Sequence, residues 1–204
     1  TIPATKLGSV TINSTVKRVN IEKQEIDEVI MGNVLSANLG QAPARQAAIG
    51  ANLSHKVECM TINKVCGSGL KSIMLADQSI KTGNSNIVIA GGMESMSLAP
   101  HYLSDSRKGT FFGHSKIIDS ILKDGLWDPY NNFAMGNCAE KLCSENKYTR
   151  QRQDEYAIES YIRSNNAITN GDFKDEICKV EIHTKNSSKI IEEDEEPLKF
   201  NRDK

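Results

Sequence analysis

The hexapeptide Val65-Cys66-Gly67-Ser68-Gly69-Leu70 lies between a strand-like run, residues 58–62, and a helix-like run, residues 70–82. The helix-like run carries an apolar stripe at helical spacing, made of Leu70, Ile73, Met74, Ala76 and Ile80. Gly83 is expected to end this helix in a left-handed cap. A second strand-like run, residues 86–90, then leads to Gly91-Gly92. The pattern predicts a strand–turn–helix–strand unit with one cysteine at its first turn.

Cys66 is the candidate nucleophile of this sequence. Backbone N–H groups in the first turn of a helix lack intrahelical partners, and the helix dipole places partial positive charge there. A cysteine at that position is expected to ionise more readily, and the thiolate is its reactive form. Gly67 and Gly69 leave room above the sulfur, and the nearby N–H groups could bind an oxyanion. Taken alone, these residues also fit a small buried cysteine that packs a tight turn.

Two motifs together resemble those of the thiolase family. They are Asn63-Lys64-Val65-Cys66-Gly67-Ser68-Gly69-Leu70 and Ala90-Gly91-Gly92-Met93-Glu94-Ser95-Met96-Ser97. The resemblance runs from Pro3 to about Glu196, and its closest match within the family is to short-chain acetyl-CoA acetyltransferases. It implies that Cys66 is acylated during a reversible Claisen condensation of two acetyl-CoA molecules to acetoacetyl-CoA and CoA. Coenzyme A thioesters are then substrates, and neither a separate cofactor nor a metal is expected.

The order of helices and short apolar strands predicts an α/β layered fold with a largely parallel sheet. Helices are expected over residues 3–20, with Leu7, Val10, Ser14 and Val19 on one face, and over residues 41–52; a strand is expected over 29–32. The resemblance implies helices on both faces of the sheet. It also implies an N-terminal half-domain over residues 1–97, without its first strand, and an inserted loop domain over residues 98–204. The chain is therefore expected to be truncated at both ends.

The second half of the sequence is more polar and is interrupted by Gly and Pro. A short helix is expected over residues 115–123, and two longer helices over 135–146 and 149–170, with Thr149 as N-cap and Gly171 after the last turn. Core positions of the last helix are expected at Tyr156, Ile158, Tyr161, Ile162 and Ile168, and strands follow over 176–183 and 189–192. The acidic run 192–196 is expected to be a solvated edge. The resemblance implies that this half covers coenzyme A and helps to form a homodimer or homotetramer.

The resemblance also transfers three substrate-binding residues to this sequence. Leu126 matches a leucine that packs on coenzyme A, and Met135 matches a methionine that lines the acyl pocket. Lys199 stands where the family has an arginine stacked on the adenine end, so it keeps the charge but loses the planar surface. Ala134 replaces a histidine that many short-chain members carry. The family's catalytic histidine, second cysteine and asparagine belong to motifs that match nothing in these residues.

Composition excludes several other classes of function. The 204 residues carry a net charge of −1, which gives no reason to expect nucleic acid or an anionic membrane as a partner. No apolar run reaches membrane-spanning length. Five cysteines without paired spacing argue against a disulfide scaffold and for a reducing, intracellular location, either mitochondrial or cytoplasmic.

Four alternative functions remain beside the acetyltransferase hypothesis. A papain-like protease shares Cys-Gly-Ser but has a second cysteine where Gly69 stands. A β-ketoacyl synthase has the same implied fold, yet the motif around Glu94 resembles thiolases. A longer-chain 3-ketoacyl-CoA thiolase differs only at acyl-pocket residues. The last alternative is a non-catalytic fragment that binds acyl-CoA or serves assembly.

Overall fold

The computed structural model describes residues 2–109, 111–183 and 187–201. The chain divides into two compact units, Thr1–Trp127 and Asp128–Lys204. Residues 98–127 pack within the first unit; for example, a Cβ at Gly125 would lie 3.9 Å from the Cδ2 of Leu35. These units differ from the division expected between residues 97 and 98, which was drawn from the resemblance and stays a prediction.

The first unit is built on a three-stranded parallel sheet with β1 in the centre, in the order β2-β1-β3. Its main elements are α1 (Ala4–Val19), β1 (Glu28–Gly32), α2 (Pro43–Gly50), β2 (Glu58–Ile62), α3 (Ser68–Lys81) and β3 (Val88–Gly92). The α/β prediction with a parallel sheet is confirmed, and β2 has the predicted bounds. Because the strands are parallel, their carboxyl ends meet at one edge of the sheet.

Helices α1 and α2 cover one face of the sheet, and the hydrophobic core of the first unit lies between them and the strands. The buried apolar cluster there consists of Ala4, Ile12, Val16, Ile26, Val29, Met31, Ala44, Ala47, Ala48, Ala51, Leu53, Val57 and Met93. The face expected for α1 is wrong, since its buried residues are Ala4, Gly8, Ser9, Ile12 and Val16. Gly8 explains the difference: a Cβ at Gly8 would lie 3.0 Å from the Cβ of Ala47, so the two helices approach through small residues.

Helix α3 packs against β1 and β3 on the opposite face, and it also does so through small residues. Its buried residues are Ser68, Ser72 and Ala76, and the Ser72 hydroxyl donates to the carbonyl of Gly91 at 2.8 Å. Of the apolar stripe on this helix only Ala76 is buried, and the larger members Leu70, Ile73, Met74 and Ile80 are 46–67 % exposed. The predicted cap is confirmed, with Gly83 at φ +76°.

The remainder of the first unit is irregular. Strands β4 (His101–Tyr102) and β5 (Ile118–Asp119) pair antiparallel, and a π-helical segment, Ile121–Leu126, follows them. The α-helix expected over residues 115–123 is wrong. The Asp119 carboxylate accepts the N–H of Ile121 at 2.8 Å, and this hydrogen bond begins a separate turn after β5.

Among the described residues, the second unit contains two α-helices, a 3-10 helix and a pair of antiparallel strands. The elements from the junction onward are β6 (Trp127–Asp128), β7 (Phe133–Ala134), α4 (Met135–Glu145), α5 (Arg150–Asn170), β8 (Val180–His183) and β9 (Ser188–Ile191). The caps of α5 are as predicted, since Thr149 accepts the N–H of Arg152 and Gly171 has φ +79°. The core positions expected on α5 are wrong, since none of its residues is buried: Tyr156 is 80 % and Ile162 38 % exposed, and Ile158, Tyr161 and Ile168 are half-buried. No helix in the described ranges has both the length and the apolar character needed to cross a membrane.

Candidate active site

Cys66 lies in a tight turn between β2 and α3, and its side chain is exposed. The N–H groups of Gly67 and Ser68 donate to the carbonyls of Lys64 and Val65, both at 3.1 Å. The Ser68 hydroxyl accepts the N–H of Lys64 at 2.9 Å and donates to the Val65 carbonyl at 2.6 Å. The turn therefore fixes the sulfur just before the helix. It also uses two of the N–H groups that were considered as oxyanion donors.

Val65, the residue before the cysteine, has a strained backbone. Its φ is +48°, in the left-handed region that β-branched residues rarely adopt. Such a conformation costs about 1–3 kcal/mol and persists only where neighbouring contacts enforce it. Here the Asn63 side chain accepts the Val65 N–H at 2.9 Å, and Ser68 holds its carbonyl. The cysteine is thus held by a turn whose geometry is imposed by hydrogen bonds.

Glycines allow the start of α3 to lie directly against the sheet. A Cβ at Gly32, the last residue of β1, would be 2.6 Å from the carbonyl carbon of Ser68. A Cβ at Gly92, the last residue of β3, would be 3.4 Å from the Cα of Gly69. This close approach places the turn with Cys66 at the carboxyl edge of the sheet, where parallel α/β proteins bind their ligands.

A cavity of about 420 Å³ opens at this edge within the first unit. It is lined by Gly32, Asn33, Val34, Leu35, Val65, Cys66, Ser68, Gly69, Gly92, Met93, Glu94, Met96, Ile121, Gly125 and Leu126. The structure therefore brings together two of the predicted site residues, Cys66 and Leu126. The walls are mainly apolar, as is usual for a pocket that takes a small organic ligand.

One wall of the cavity was not anticipated from the sequence. Glu94 follows β3, and its carboxylate accepts hydrogen bonds from the N–H groups of Val34 and Leu35 and from the Asn33 amide, at 2.7–3.0 Å. The sequence does contain one indication of this contact, because Asn33 follows β1 and Glu94 follows β3. Residues that follow neighbouring parallel strands meet at the same edge, where Cys66 also lies.

The rim of the cavity is tied to β4. The Tyr102 hydroxyl donates to the carboxylate of Asp124, in the π-helical segment that ends at Leu126. This hydrogen bond is the main reason that the pKa of Tyr102 is raised, because ionisation of the phenol would break it next to a negative charge. The contact fixes the segment that carries Leu126.

The other two predicted site residues belong to the second unit. Met135 is the first residue of α4 and is 41 % exposed. The Lys199 ammonium donates to the Glu196 carboxylate at 2.8 Å, and this contact raises the pKa of Lys199. Glu196 also accepts the hydroxyl of Tyr161 at 2.9 Å, and the Tyr161 ring stacks on Phe200 at 5.1 Å. The solvated edge expected over residues 192–196 is confirmed, since all five of these residues are exposed, and Glu196 makes its two contacts at the surface.

Comparisons with known proteins agree on one family. The family model described as the thiolase N-terminal domain matches residues 1–202. An acetyl-CoA acetyltransferase of Yarrowia lipolytica is 52 % identical over 203 residues, covering 100 % of this chain and 50 % of that protein. A mitochondrial acetyl-CoA acetyltransferase of Rattus norvegicus is 45 % identical, covering 97 % of this chain and 46 % of that protein.

A solved structure gives the same result for the fold. It is a thiolase from Ascaris suum in complex with coenzyme A, with a TM-score of 0.91 and 39 % identity. The match covers 99 % of this chain and 51 % of that one. The chain therefore spans about half the length of the relatives that it matches.

Proposed function

The chain belongs to the thiolase family, and from this membership we propose that it is the nucleophile-bearing half of an acetyl-CoA C-acetyltransferase. The observation that supports this best is the position of Cys66. Its exposed thiol lies on the wall of an apolar cavity, in a strained turn at the carboxyl edge of a parallel sheet. The names of the relatives and the coenzyme A bound by the Ascaris suum thiolase favour acyl-CoA as the substrate.

The proposed reaction has two covalent steps. The Cys66 thiolate attacks the thioester carbonyl carbon of acetyl-CoA, and the tetrahedral intermediate expels CoA thiolate to leave an acetyl-cysteine. A second acetyl-CoA, deprotonated at its α-carbon, then attacks that acetyl carbonyl. The new carbon–carbon bond gives acetoacetyl-CoA, and the Cys66 thiolate is released. A thiolate suits this exchange because the bond broken and the bond formed in the first step are both thioesters.

The other residues have supporting roles in this proposal. Leu126 offers an apolar contact for coenzyme A on the wall of the same cavity. Met135 would border the acyl group, and Lys199 would place a positive charge at the adenine end of the coenzyme. The groups that activate the thiol and move the α-proton would come from residues outside this chain. A homodimer or homotetramer, in the mitochondrion or the cytoplasm, is part of the same proposal.

The test is a steady-state assay of the whole polypeptide that contains this chain, with Cys66→Ser as the variant and Cys143→Ser as the matched control. Wild type and Cys143→Ser should cleave acetoacetyl-CoA with CoA at equal rates. Cys66→Ser should keep the fold, judged by circular dichroism, and lose activity by at least about 10³-fold, because a hydroxyl is a far weaker nucleophile than a thiolate. Full activity in Cys66→Ser would refute the proposal.

A further inference from the structure

Glu94 connects the ends of two strands at the edge of the cavity. Its Oε1 accepts the Asn33 amide at 2.7 Å and the Leu35 N–H at 3.0 Å, while its Oε2 accepts the Val34 N–H at 2.9 Å. The Asn33 amide also donates to the carbonyl of Met93 at 3.0 Å. Four hydrogen bonds therefore join the segment after β1 to the segment after β3, and three of them end on one carboxylate.

Only a carboxylate can make this set of contacts. All three groups that face Glu94 are donors, and both of its oxygens are acceptors when it is ionised. Hydrogen bonds from neutral donors to a charged acceptor are shorter and stronger than those between neutral groups. Glutamine would present its amide N–H₂ to one of the donors, and alanine would leave two backbone N–H groups without this acceptor.

The segment Asn33–Leu35, which these hydrogen bonds hold in place, packs through Leu35 against the wall of the cavity proposed to bind coenzyme A. Leu35 is buried, and a Cβ at Gly125 would lie 3.9 Å from its Cδ2. Gly125 immediately precedes Leu126, the proposed coenzyme A contact. The carboxylate of Glu94 therefore fixes Leu35, and Leu35 packs beside the segment that presents Leu126.

We propose that Glu94 is a positioning residue for acyl-CoA binding, acting through the segment Asn33–Leu35 on the wall that carries Leu126. This inference rests on the proposed function. It assigns to Glu94 no contact with the reacting atoms, so its loss should weaken the binding of the thioester more than it slows the covalent steps. A purely structural role would instead lower the fraction of folded enzyme and leave KM unchanged.

The chain offers a matched control at the opposite edge of the same sheet. Glu28 begins β1, and its Oε2 accepts the hydroxyls of Ser79 at 3.0 Å and Ser85 at 3.3 Å. Like Glu94, it is partly buried and connects separate segments. Glu28→Gln should therefore affect stability in the same way as Glu94→Gln, but it lies away from the cavity.

The experiment compares wild type, Glu94→Gln, Glu94→Ala and Glu28→Gln in the whole polypeptide, with kcat expressed per titrated active site. We expect KM for the acyl-CoA to rise about tenfold in Glu94→Ala and by a smaller factor in Glu94→Gln, with kcat changed less than about threefold. Glu28→Gln should keep the wild-type KM. An unchanged KM in both Glu94 variants, or an equal rise in Glu28→Gln, would overturn the inference.

Amide hydrogen exchange without ligand separates this inference from the proposed function. The N–H groups of Val34 and Leu35 should exchange slowly in wild type and in Glu28→Gln, and faster in Glu94→Gln. If wild type has no thiolase activity, the proposed function fails. The exchange result still shows whether Glu94 holds the N–H groups of Val34 and Leu35. If exchange at both amides is the same in all variants, Glu94 does not hold the segment Asn33–Leu35, and the inference is refuted whatever the activity. Glu94→Gln alone suffices should Glu94→Ala not fold.

Discussion

At the scale of single residues, Cys66 and Cys59 differ in environment although they lie on one segment. Cys66 is exposed in the turn before α3, whereas Cys59 lies half-buried in β2. Burial raises the pKa of the Cys59 thiol, and the nearby Arg45 guanidinium offsets this only in part. Arg45 itself donates to the carbonyls of Val57 and His55, so its role in the structure is to hold a loop.

We predict from this difference that Cys66 is the most reactive of the five cysteines. Brief treatment of the folded protein with iodoacetamide at neutral pH, followed by peptide mass mapping, should find Cys66 modified first. Denatured protein serves as the control, and there the preference should disappear. Earlier labelling of Cys59, Cys138, Cys143 or Cys178 in the folded state would be incompatible with the proposed site.

At the scale of elements, the position of α3 depends on the missing side chain of Gly32. Gly32→Ala would place a methyl group 2.6 Å from the carbonyl carbon of Ser68, and a backbone atom cannot rotate away. We expect a loss of about 1–3 kcal/mol in unfolding free energy as α3 is pushed off the sheet. Because the turn with Cys66 moves with the helix, alkylation of Cys66 should also change.

The matched control for this substitution is Gly136→Ala in α4, where an added Cβ meets no atom within 4 Å. A helical alanine there should be neutral or stabilising by up to about 1 kcal/mol. Urea unfolding measures both variants. Equal stability of Gly32→Ala and wild type would show that the close approach of α3 to the sheet is not needed.

The strand ends opposite the cavity provide a pH-dependent contact. The Asp27 carboxylate accepts the N–H groups of Asn86 at 2.7 Å and Ile87 at 3.0 Å, which lower the pKa of Asp27 in that order of importance. A carboxyl group with a lowered pKa in the folded state stabilises it at pH values above the unfolded pKa, near 4. That contribution disappears as the pH falls through the folded-state pKa.

Asp27→Asn should therefore be less stable than wild type at pH 7, and the difference should shrink progressively below about pH 4. Urea unfolding across this range measures it. Asp77→Asn is the control, because Asp77 makes an exposed salt bridge with Lys81 at 2.8 Å, and the loss of such a contact should change stability little. A deficit in Asp27→Asn that is the same at pH 3 and pH 7 would contradict this explanation.

At the scale of the whole molecule, the first unit exposes four large apolar side chains along α3. Leu70, Ile73, Met74 and Ile80 stand on the side of the helix away from the sheet. Exposed apolar stripes of this kind bind other surfaces or cause association. We predict that residues 1–204, expressed alone, bind a hydrophobic dye and self-associate, and that they show no thiolase turnover.

Light scattering and dye fluorescence test this prediction. The double variant Leu70→Gln and Ile73→Gln should bind less dye and associate less, while Tyr156→Gln, at an exposed position on α5, serves as the control. Turnover should be absent in all three, because in the proposed function the acid–base groups, worth about 10²–10⁴-fold each, lie outside residues 1–204. A stable monomer with little dye binding would contradict the prediction.

The sequence was most informative where structure is set by neighbouring residues. The bounds of β2, the N-cap at Thr149 and the left-handed cap at Gly83 depend on local chemistry and were predicted. The buried faces of α1 and α3 were not, because small residues such as Gly8 and Ser72 allow close packing that apolar periodicity does not show.

In the candidate site, too, the sequence predicts what local motifs specify and does not predict contacts between distant residues. Cys66 and Leu126 could be predicted from motifs, and the structure places both on one cavity. The contacts between Glu94 and the segment after β1 join residues about sixty positions apart in the chain, so no local pattern specifies them. Only the register of the parallel strands brings these residues together.

The central claim is that Cys66 carries the acyl group, and trapping of that intermediate tests it most directly. The whole polypeptide is mixed with acetyl-CoA, quenched in acid within seconds and digested for mass spectrometry. We predict a 42 Da acetyl adduct, about the mass of C₂H₂O, on the peptide that contains Cys66, and its removal by added CoA. Acetylation at another cysteine, or no covalent adduct while the enzyme turns over, would contradict the account.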